Sequence, residues 1–263
     1  MKTIDLTTGQ EDTYFKCLEE WSDEMREAGA HKEKWFSRMK EKGLRVKVAL
    51  DDTGTICGMI QYAPIEHCFA EGRSLYFIYC VWVHGYPQGI GNHQKKGMGS
   101  ALLRAAEEDV VALGGKGLVA WGMSIPVFMK AAWFRKHGYR RVDRIGIQEL
   151  LWKPFAQDAV APRWIRPKKK VKGIPGKVVV TSFRNGWCPA QNLVYERAKR
   201  AAAEFPDEVV FQEIDTFNRQ DYQEWGIADA LYIDKKQIRT GPPPSYERIK
   251  ARIAKRVKRI RTI

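Results

Sequence analysis

The stretch Gln94-Lys95-Lys96-Gly97-Met98-Gly99 joins two runs of opposite character. Before it, Ser74 to Val83 is rich in aromatic and β-branched residues, the composition of a strand. After it, Gly97 to Leu113 places Leu102, Leu103, Ala106 and Val110 on one face of a helix. A helix start exposes backbone N–H groups without partners and the positive end of the dipole, so this strand–loop–helix suits a phosphate. Gly97 and Gly99 have no side chain to block a close approach by a pyrophosphate. Lys95 and Lys96 add positive charge, and Gln94 either fixes the loop or donates a hydrogen bond to a phosphate.

Working outward, the chain reads as helices, a hairpin, then strand–helix–strand–helix–strand. A helix over 12–28 carries Phe15, Leu18, Trp21 and Met25, and a second over 31–42 carries Trp35, Phe36 and Met39. Arg45 to Leu50 alternates as a strand, Asp51-Asp52-Thr53-Gly54 turns, and Ile56 to Ile65 returns. Beyond the loop, Leu118 to Gly122 reads as a short buried strand. Val127 to His137 reads as a helix capped by Gly138, and Arg140 to Trp152 as a last strand.

Here the pattern becomes specific. Gln-x-x-Gly-x-Gly followed by Ala-Leu-Leu-x-x-Ala-Glu resembles the signature segment of GNAT acetyltransferases. Lys130-Ala131-Ala132-Trp133-Phe134-Arg135-Lys136-His137-Gly138-Tyr139 resembles the later motif of that family, which usually ends in Phe-Tyr-x-x-x-Gly-Phe. The resemblance covers roughly residues 1 to 155. It implies a mixed sheet flanked by helices, with acetyl-CoA as co-substrate. The strand before the loop would splay from its neighbour and pair its backbone with the pantetheine arm, at Val81, Trp82 and Val83. Backbone N–H groups of Lys95, Lys96, Gly97, Met98, Gly99 and Ser100 would hold the pyrophosphate, and that of Val81 would polarise the thioester carbonyl. Phe134, on the helix over Val127 to His137 that would flank the acetyl and sulfur end, would be a cofactor contact. It stands where the family often has a tyrosine that protonates the sulfur, and it cannot donate.

Direct attack by an amine in a ternary complex needs a base. The candidates are Glu66 and His67 after the hairpin strand, Tyr79 and Cys80 on the next strand, and His84 at its end. Glu66 is the first choice, acting directly or through water. The plainer reading makes Glu66 a solvated loop carboxylate, Cys80 a core thiol and Trp82 a packing residue. The segment Gly85 to His93 either shapes an acceptor pocket or is a flexible loop.

The basic, proline-bearing stretch from Pro162 to Gly176 breaks helix and strand alike. It suggests a first domain at 1–160, a linker at 161–176 and a second domain at 177–263. The second region reads βαβαββα, an order that suggests a small α/β domain. It starts with a strand at 177–183 and a helix at 190–205. A strand at 209–214, a short helix at 219–225 and strands at 230–233 and 237–239 follow. Gly186-Trp187-Cys188-Pro189-Ala190-Gln191 resembles a thioredoxin-like active-site turn, and a cysteine at a helix start is a good nucleophile. Gln191 replaces the second cysteine, and 227–231 lacks the expected proline. The two-domain pattern resembles the YoaP-like arrangement. Cys188 then serves as a monothiol, or the domain only packs or recruits. The final basic helix, Ser245 to Ile263, carries an apolar stripe of Ile249, Ile253, Val257 and Ile260. It either docks on its own domain or meets RNA or anionic lipid.

The net charge of +14 over 263 residues attracts polyanions without choosing among them. No apolar run is long enough to span a bilayer, and the N-terminus lacks a signal-peptide pattern. The five cysteines lack metal-knuckle or dithiol spacing. A cytoplasmic N-acetyltransferase without a metal is therefore expected, acting on an amine of a small molecule, peptide or protein. The alternative is an acetyl-CoA-binding sensor or recruiter.

Overall fold

A computed structural model describes residues 1–238 and 242–261. Arg239 of the expected strand and Thr262 and Ile263 of the expected last helix lie outside the described residues. The chain divides into two compact units: residues 1–21 with 36–165, and residues 22–35 with 166–263.

In chain order the first 165 residues form β1 (Lys2–Asp5), α1 (Glu11–Phe15), α2 (Asp23–Glu27), α3 (His31–Lys40), β2 (Arg45–Leu50), β3 (Ile56–Pro64), β4 (Ala70–Glu71), β5 (Tyr76–Val83), α4 (Met98–Ala112), β6 (Gly117–Met123), α5 (Ala131–Lys136), β7 (Arg140–Ile145), β8 (Gln148–Pro154) and β9 (Arg163–Trp164). Seven strands make one mixed sheet in the order β1-β2-β3-β5-β6-β8-β7. Only β5 and β6 run parallel, joined by α4 as the crossover helix. Leu102, Leu103, Ala106 and Val110 of α4 bury the stripe read from the sequence against Ile60, Tyr62, Ile78, Leu118, Ala120 and Leu151 of the sheet.

Three sequence expectations fail at left-handed residues. The helix over 12–28 is two short helices, because Cys17 (φ +53°) and Leu18 (φ +66°) reverse the chain between them. Neither is glycine, so composition gave no warning. The helix expected from Val127 starts only at Ala131, after Pro126 and a left-handed Met129 (φ +51°). The single last strand is a hairpin folded at Gly146 (φ +56°), with Ile145 opposite Gln148. Part of the stretch read as linker is also ordered: β9 pairs with β4, and Trp164 and Ile165 are buried in the first unit.

The second unit adds β10 (Val178–Arg184), α6 (Pro189–Ala203), β11 (Val209–Asp215), α7 (Arg219–Trp225), β12 (Ala230–Ile233), β13 (Lys236–Ile238) and α8 (Tyr246–Ile260). Its sheet runs β11-β10-β12-β13, with β10 and β11 parallel and the other pairs antiparallel. Ile249, Ile253 and Val257 of α8 are buried in its core with Val180, Val194, Leu231 and Ile233. The residues of α2 belong to this unit because Arg197, almost fully buried, needs partners: its guanidinium donates to Glu24 and Glu27 at 2.8–3.0 Å. Among the described residues, no helix is long and apolar enough to cross a membrane.

Candidate functional site

The cleft of the first unit forms where two strands part. β5 and β6 pair only from Tyr76 opposite Leu118 to Ile78 opposite Ala120. The next residue, Tyr79, is an extra residue against β3, since Gln61 pairs Cys80 while Tyr62 pairs Ile78. Such a bulge bends the strand. The Trp121 indole then bridges the opening gap by donating to the Tyr79 carbonyl at 2.9 Å. On the far side, α5 approaches so closely that a Cβ on Gly122 would lie 2.8 Å from the Ala131 Cα. Glycine is required there.

The result is an open groove of about 440 Å³. One wall is Val81, Trp82 and Val83, and the opposite wall is Val127 to Lys130 with Trp133 and Phe134. Its floor is the loop His93, Gln94, Lys95, Gly97, Met98, Gly99 and Ser100. Of the cofactor residues expected from sequence, only Lys96 is not in the lining. The segment expected to flank the acetyl and sulfur end does line the groove at Val127, Phe128, Met129, Lys130 and Trp133, but its first four residues do so as an irregular stretch before α5; His93 joins them with no signal in the sequence.

The loop reaches its shape through two left-handed residues, Lys95 (φ +64°) and Gly97 (φ +84°). Gly97 is the cap of α4 and supplies no side-chain acceptor, and the first turn holds no acidic residue. The first intrahelical bond is Ala101 N–H to the Gly97 carbonyl at 3.0 Å. The N–H groups of Met98, Gly99 and Ser100 precede it and stay available to an anion. Lys95 and Lys130 add two cations to a lining without any carboxylate. Gln94 resolves toward the structural alternative: its amide donates to the Val83 carbonyl at 3.2 Å and ties the loop to the end of β5.

A buttress stands behind the helix start. His137 Nδ1 lies 2.8 Å from the Trp133 carbonyl, so Nδ1 carries the proton and Nε2 accepts from the Ser100 hydroxyl at 2.9 Å. The Ser100 hydroxyl is therefore engaged with α5. Trp133, its ring tilted at 45° to that of His137 with centroids 4.3 Å apart, covers Gly99.

The candidate bases fare differently. Glu66 is exposed in a short turn after β3. The strand end it follows, Pro64, pairs with Tyr76, whereas Ile60 pairs with Val81 of the groove. Five residues of strand, roughly 17 Å, separate those positions. Tyr79 is buried, and its hydroxyl donates to the His67 carbonyl at 2.9 Å. Neither is brought to the groove. His84 is fully buried, with Nδ1 donating to Gly91 O at 2.7 Å and Nε2 accepting from the Trp21 indole at 3.2 Å. Both its nitrogens are committed. Cys80 is buried as a core thiol.

Cys188 belongs to the second unit. It is half-buried at the cap of α6, with Pro189 following. Trp187 beside it is held by its indole N–H on Asp229 at 2.8 Å, and the Asn185 N–H donates to the same carboxylate at 3.0 Å. Burial pushes Asp229 up to about 6, against the pull of those two bonds. A carboxyl raised on folding stabilises the unit while it stays protonated. That stabilisation is lost as pH rises from about 4 through 6. Urea unfolding at stepped pH is expected to show roughly 1–3 kcal/mol less stability at pH 7 than at pH 4 from this group. An Asp229→Ala variant lacking that slope checks the assignment.

The sequence model described as the Acetyltransferase (GNAT) family matches residues 6–142. No curated protein matches the chain. Among solved structures, the GNAT family N-acetyltransferase YhbS from Escherichia coli, in complex with CoA, is similar at 12% identity and a TM-score of 0.44, over 62% of this chain and 88% of that one. A GNAT family acetyltransferase from Brucella melitensis, in complex with acetyl-CoA, is similar at 16% identity and 0.40, over 60% and 90%. The PaiA N-acetyltransferase from Thermoplasma acidophilum, in complex with coenzyme A, is similar at 15% identity and 0.41, over 59% and 100%. With the family's sequence pattern extending over more than half of its residues, the chain belongs to the GNAT acetyltransferase family.

Proposed function

We propose that the first unit transfers an acetyl group from acetyl-CoA to an amine. The observation that carries the reading is the uncapped start of α4, facing a groove that contains two lysines and no carboxylate. The free N–H groups of Met98, Gly99 and Ser100 would hold the pyrophosphate, with Lys95 beside them. Val81 to Val83 lie on the side of β5 that has parted from β6, so their backbone is open to a pantetheine arm. When bound, acetyl-CoA supplies the thioester whose C–S bond breaks as the C–N bond forms.

Proton handling follows from what lines the groove. Phe134 is fully buried beside Trp133 and Tyr139 and offers no proton. A thiol ionises near pH 8.5, so its thiolate leaves without an acid at modest cost. With Glu66 and Tyr79 away from the groove, the amine proton passes to water. Activity then rises with pH as the acceptor deprotonates.

We further infer a thioredoxin-like second domain at 177–263, with the linker expected at 161–176 shortened to 166–176 because β9 and Ile165 belong to the first unit. Its support is the parallel β10-α6-β11 unit followed by the antiparallel β12-β13 hairpin, in the order β11-β10-β12-β13. Cys188 at the start of α6 is its nucleophile. Polyanion binding by α8 has less support, since Lys250, Arg256 and Arg261 already pair with Glu204, Asp234 and Glu208.

The test is acetyl-CoA consumption by the full chain across a panel of primary amines, followed as free thiol. Turnover with at least one amine is expected. Tight CoA binding with no turnover on any amine would sink the enzyme reading in favour of a sensor.

A further inference from the structure

The turn between β2 and β3 and the loop that precedes the pyrophosphate cradle bring three metal-binding side chains together. Asp51, Cys57 and His93 each offer a ligand atom within 4.8 Å of the others. Asp51 and Cys57 flank one turn, but His93 comes from a segment far along the chain, so no spacing rule applied to the sequence finds the set. We propose that Asp51, Cys57 and His93 form a site for one divalent transition-metal ion, of which zinc is the chemical type.

The donor set decides the class of ion. A thiolate, an imidazole and a carboxylate match zinc chemistry, whereas calcium or magnesium would call for oxygen donors alone. The two anionic donors balance a divalent charge. Three protein ligands leave a fourth tetrahedral position to water. Ligand atoms 4.8 Å apart must draw in by about 1 Å to meet one ion at 2.0–2.3 Å.

The surroundings are already arranged for ligation. His93 Nε2 lies 2.8 Å from the Ile90 carbonyl, so Nε2 holds the proton and Nδ1 keeps its lone pair. A metal-binding histidine characteristically gives its other N–H to a backbone carbonyl in this way. Asp51 Oδ1 accepts from Thr53 N, Thr53 Oγ1 and Thr55 N at 2.7–3.0 Å, which fixes the carboxylate. The Cys57 thiol now donates to the Thr55 carbonyl at 3.3 Å. On binding, the S–H bond breaks, a sulfur–metal bond forms and the proton goes to water. Asp51 and His93 are half-buried, so the ion has a way in from solvent. Among the described residues, no other group of three or more His, Cys, Asp and Glu side chains gathers as closely.

Its place in the fold gives the site a consequence. An ion here would pin the β2–β3 turn to the loop that runs from His84 into Gln94, and so stiffen the approach to the groove.

The test uses the full chain, stripped with a chelator and titrated with Co²⁺ as an optical probe. A thiolate-to-cobalt charge-transfer band that saturates at one equivalent and is displaced by Zn²⁺ is expected. Cys57→Ser and His93→Ala should each abolish the band and weaken Zn²⁺ binding more than about 100-fold, beyond what outer partners of a metal site carry. Should Cys57→Ser fail to fold, His93→Ala decides alone, since His93 lies in a loop outside the sheet and helices and its side chain is held there by a hydrogen bond to the Ile90 carbonyl. No saturable band in the parent chain, or an unchanged band in a folded variant, overturns the site.

Discussion

Gly99→Glu is expected to bind CoA about 100- to 1000-fold more weakly than the parent while unfolding at nearly the same urea concentration. Gly99 lies in the first turn of α4, on the floor of the groove, without a left-handed φ. The backbone therefore accepts a side chain. Space is the constraint: a Cβ there sits 3.4 Å from Trp133 Cζ2 and 3.9 Å from Val83. A longer chain must point into the volume where the pyrophosphate would lie, and it carries a negative charge. Two charges about 4 Å apart at a protein surface repel by about 4 kcal/mol, and each 1.4 kcal/mol is tenfold in affinity. Gly99→Ala is the control. Its methyl fits at van der Waals contact and favours the helix, so affinity should stay within about tenfold. Isothermal titration with CoA reads both variants. An unchanged Kd for Gly99→Glu would remove the cofactor assignment itself, whatever happens to turnover.

That contrast shows which parts of the molecule the sequence reveals. The loop was legible because its signal is local: a strand composition, two glycines and a helical stripe within forty residues. The β2–β3 hairpin, β5, the crossover helix and β6 follow in chain order from the same periodicities, whereas β1 and the β7–β8 hairpin do not. What escaped depends on residues distant in sequence or on backbone conformations with no compositional mark. Cys17, Leu18 and Met129 adopt left-handed angles without being glycine, so two helices were drawn too long. Glu66 looked well placed because it follows a hairpin strand. Only the register of β3 against β5 shows that it follows the end of β3 that lies away from Val81 to Val83. Residues 22–35 carry no label that assigns them to the second unit; the need of a buried Arg197 for Glu24 and Glu27 does that. The metal-ligand cluster escaped for the same reason.

Asp109→Ala is expected to cost about 3 kcal/mol of folding stability. Asp109 lies on α4 and faces the sheet, with its side chain only 13% exposed. It accepts two bonds from the Arg45 guanidinium at 2.7 and 2.9 Å, one from Lys47 at 3.1 Å and one from the Tyr62 hydroxyl at 2.7 Å. Burial raises its pKa, but the bonds from Arg45, Tyr62 and Lys47 outweigh burial and hold it below the usual carboxylate range. Removing the carboxylate leaves the Tyr62 hydroxyl without its acceptor and Arg45 and Lys47 with Asp5 alone, at 3.7 and 2.7 Å. Breaking a buried pair in this way costs about 3–5 kcal/mol, and the partial exposure of Arg45 puts the effect at the low end. The sign with pH follows. A carboxylate depressed on folding contributes stability above its ordinary pKa, near 4, and loses it as pH falls through the folded value. Asp109→Asn keeps the shape without the charge, so it should flatten the acid limb of the stability profile and cost less than alanine at pH 7. Urea unfolding of the three proteins between pH 3 and pH 7 measures both. Because Asp109 pairs α4 with β2 and β3 while the groove lies at the other end of that helix, folded Asp109→Asn should bind CoA within about tenfold of the parent. A loss as large as that of Gly99→Glu would mean that the helix start is held by this network and not by the Ser100–His137 buttress.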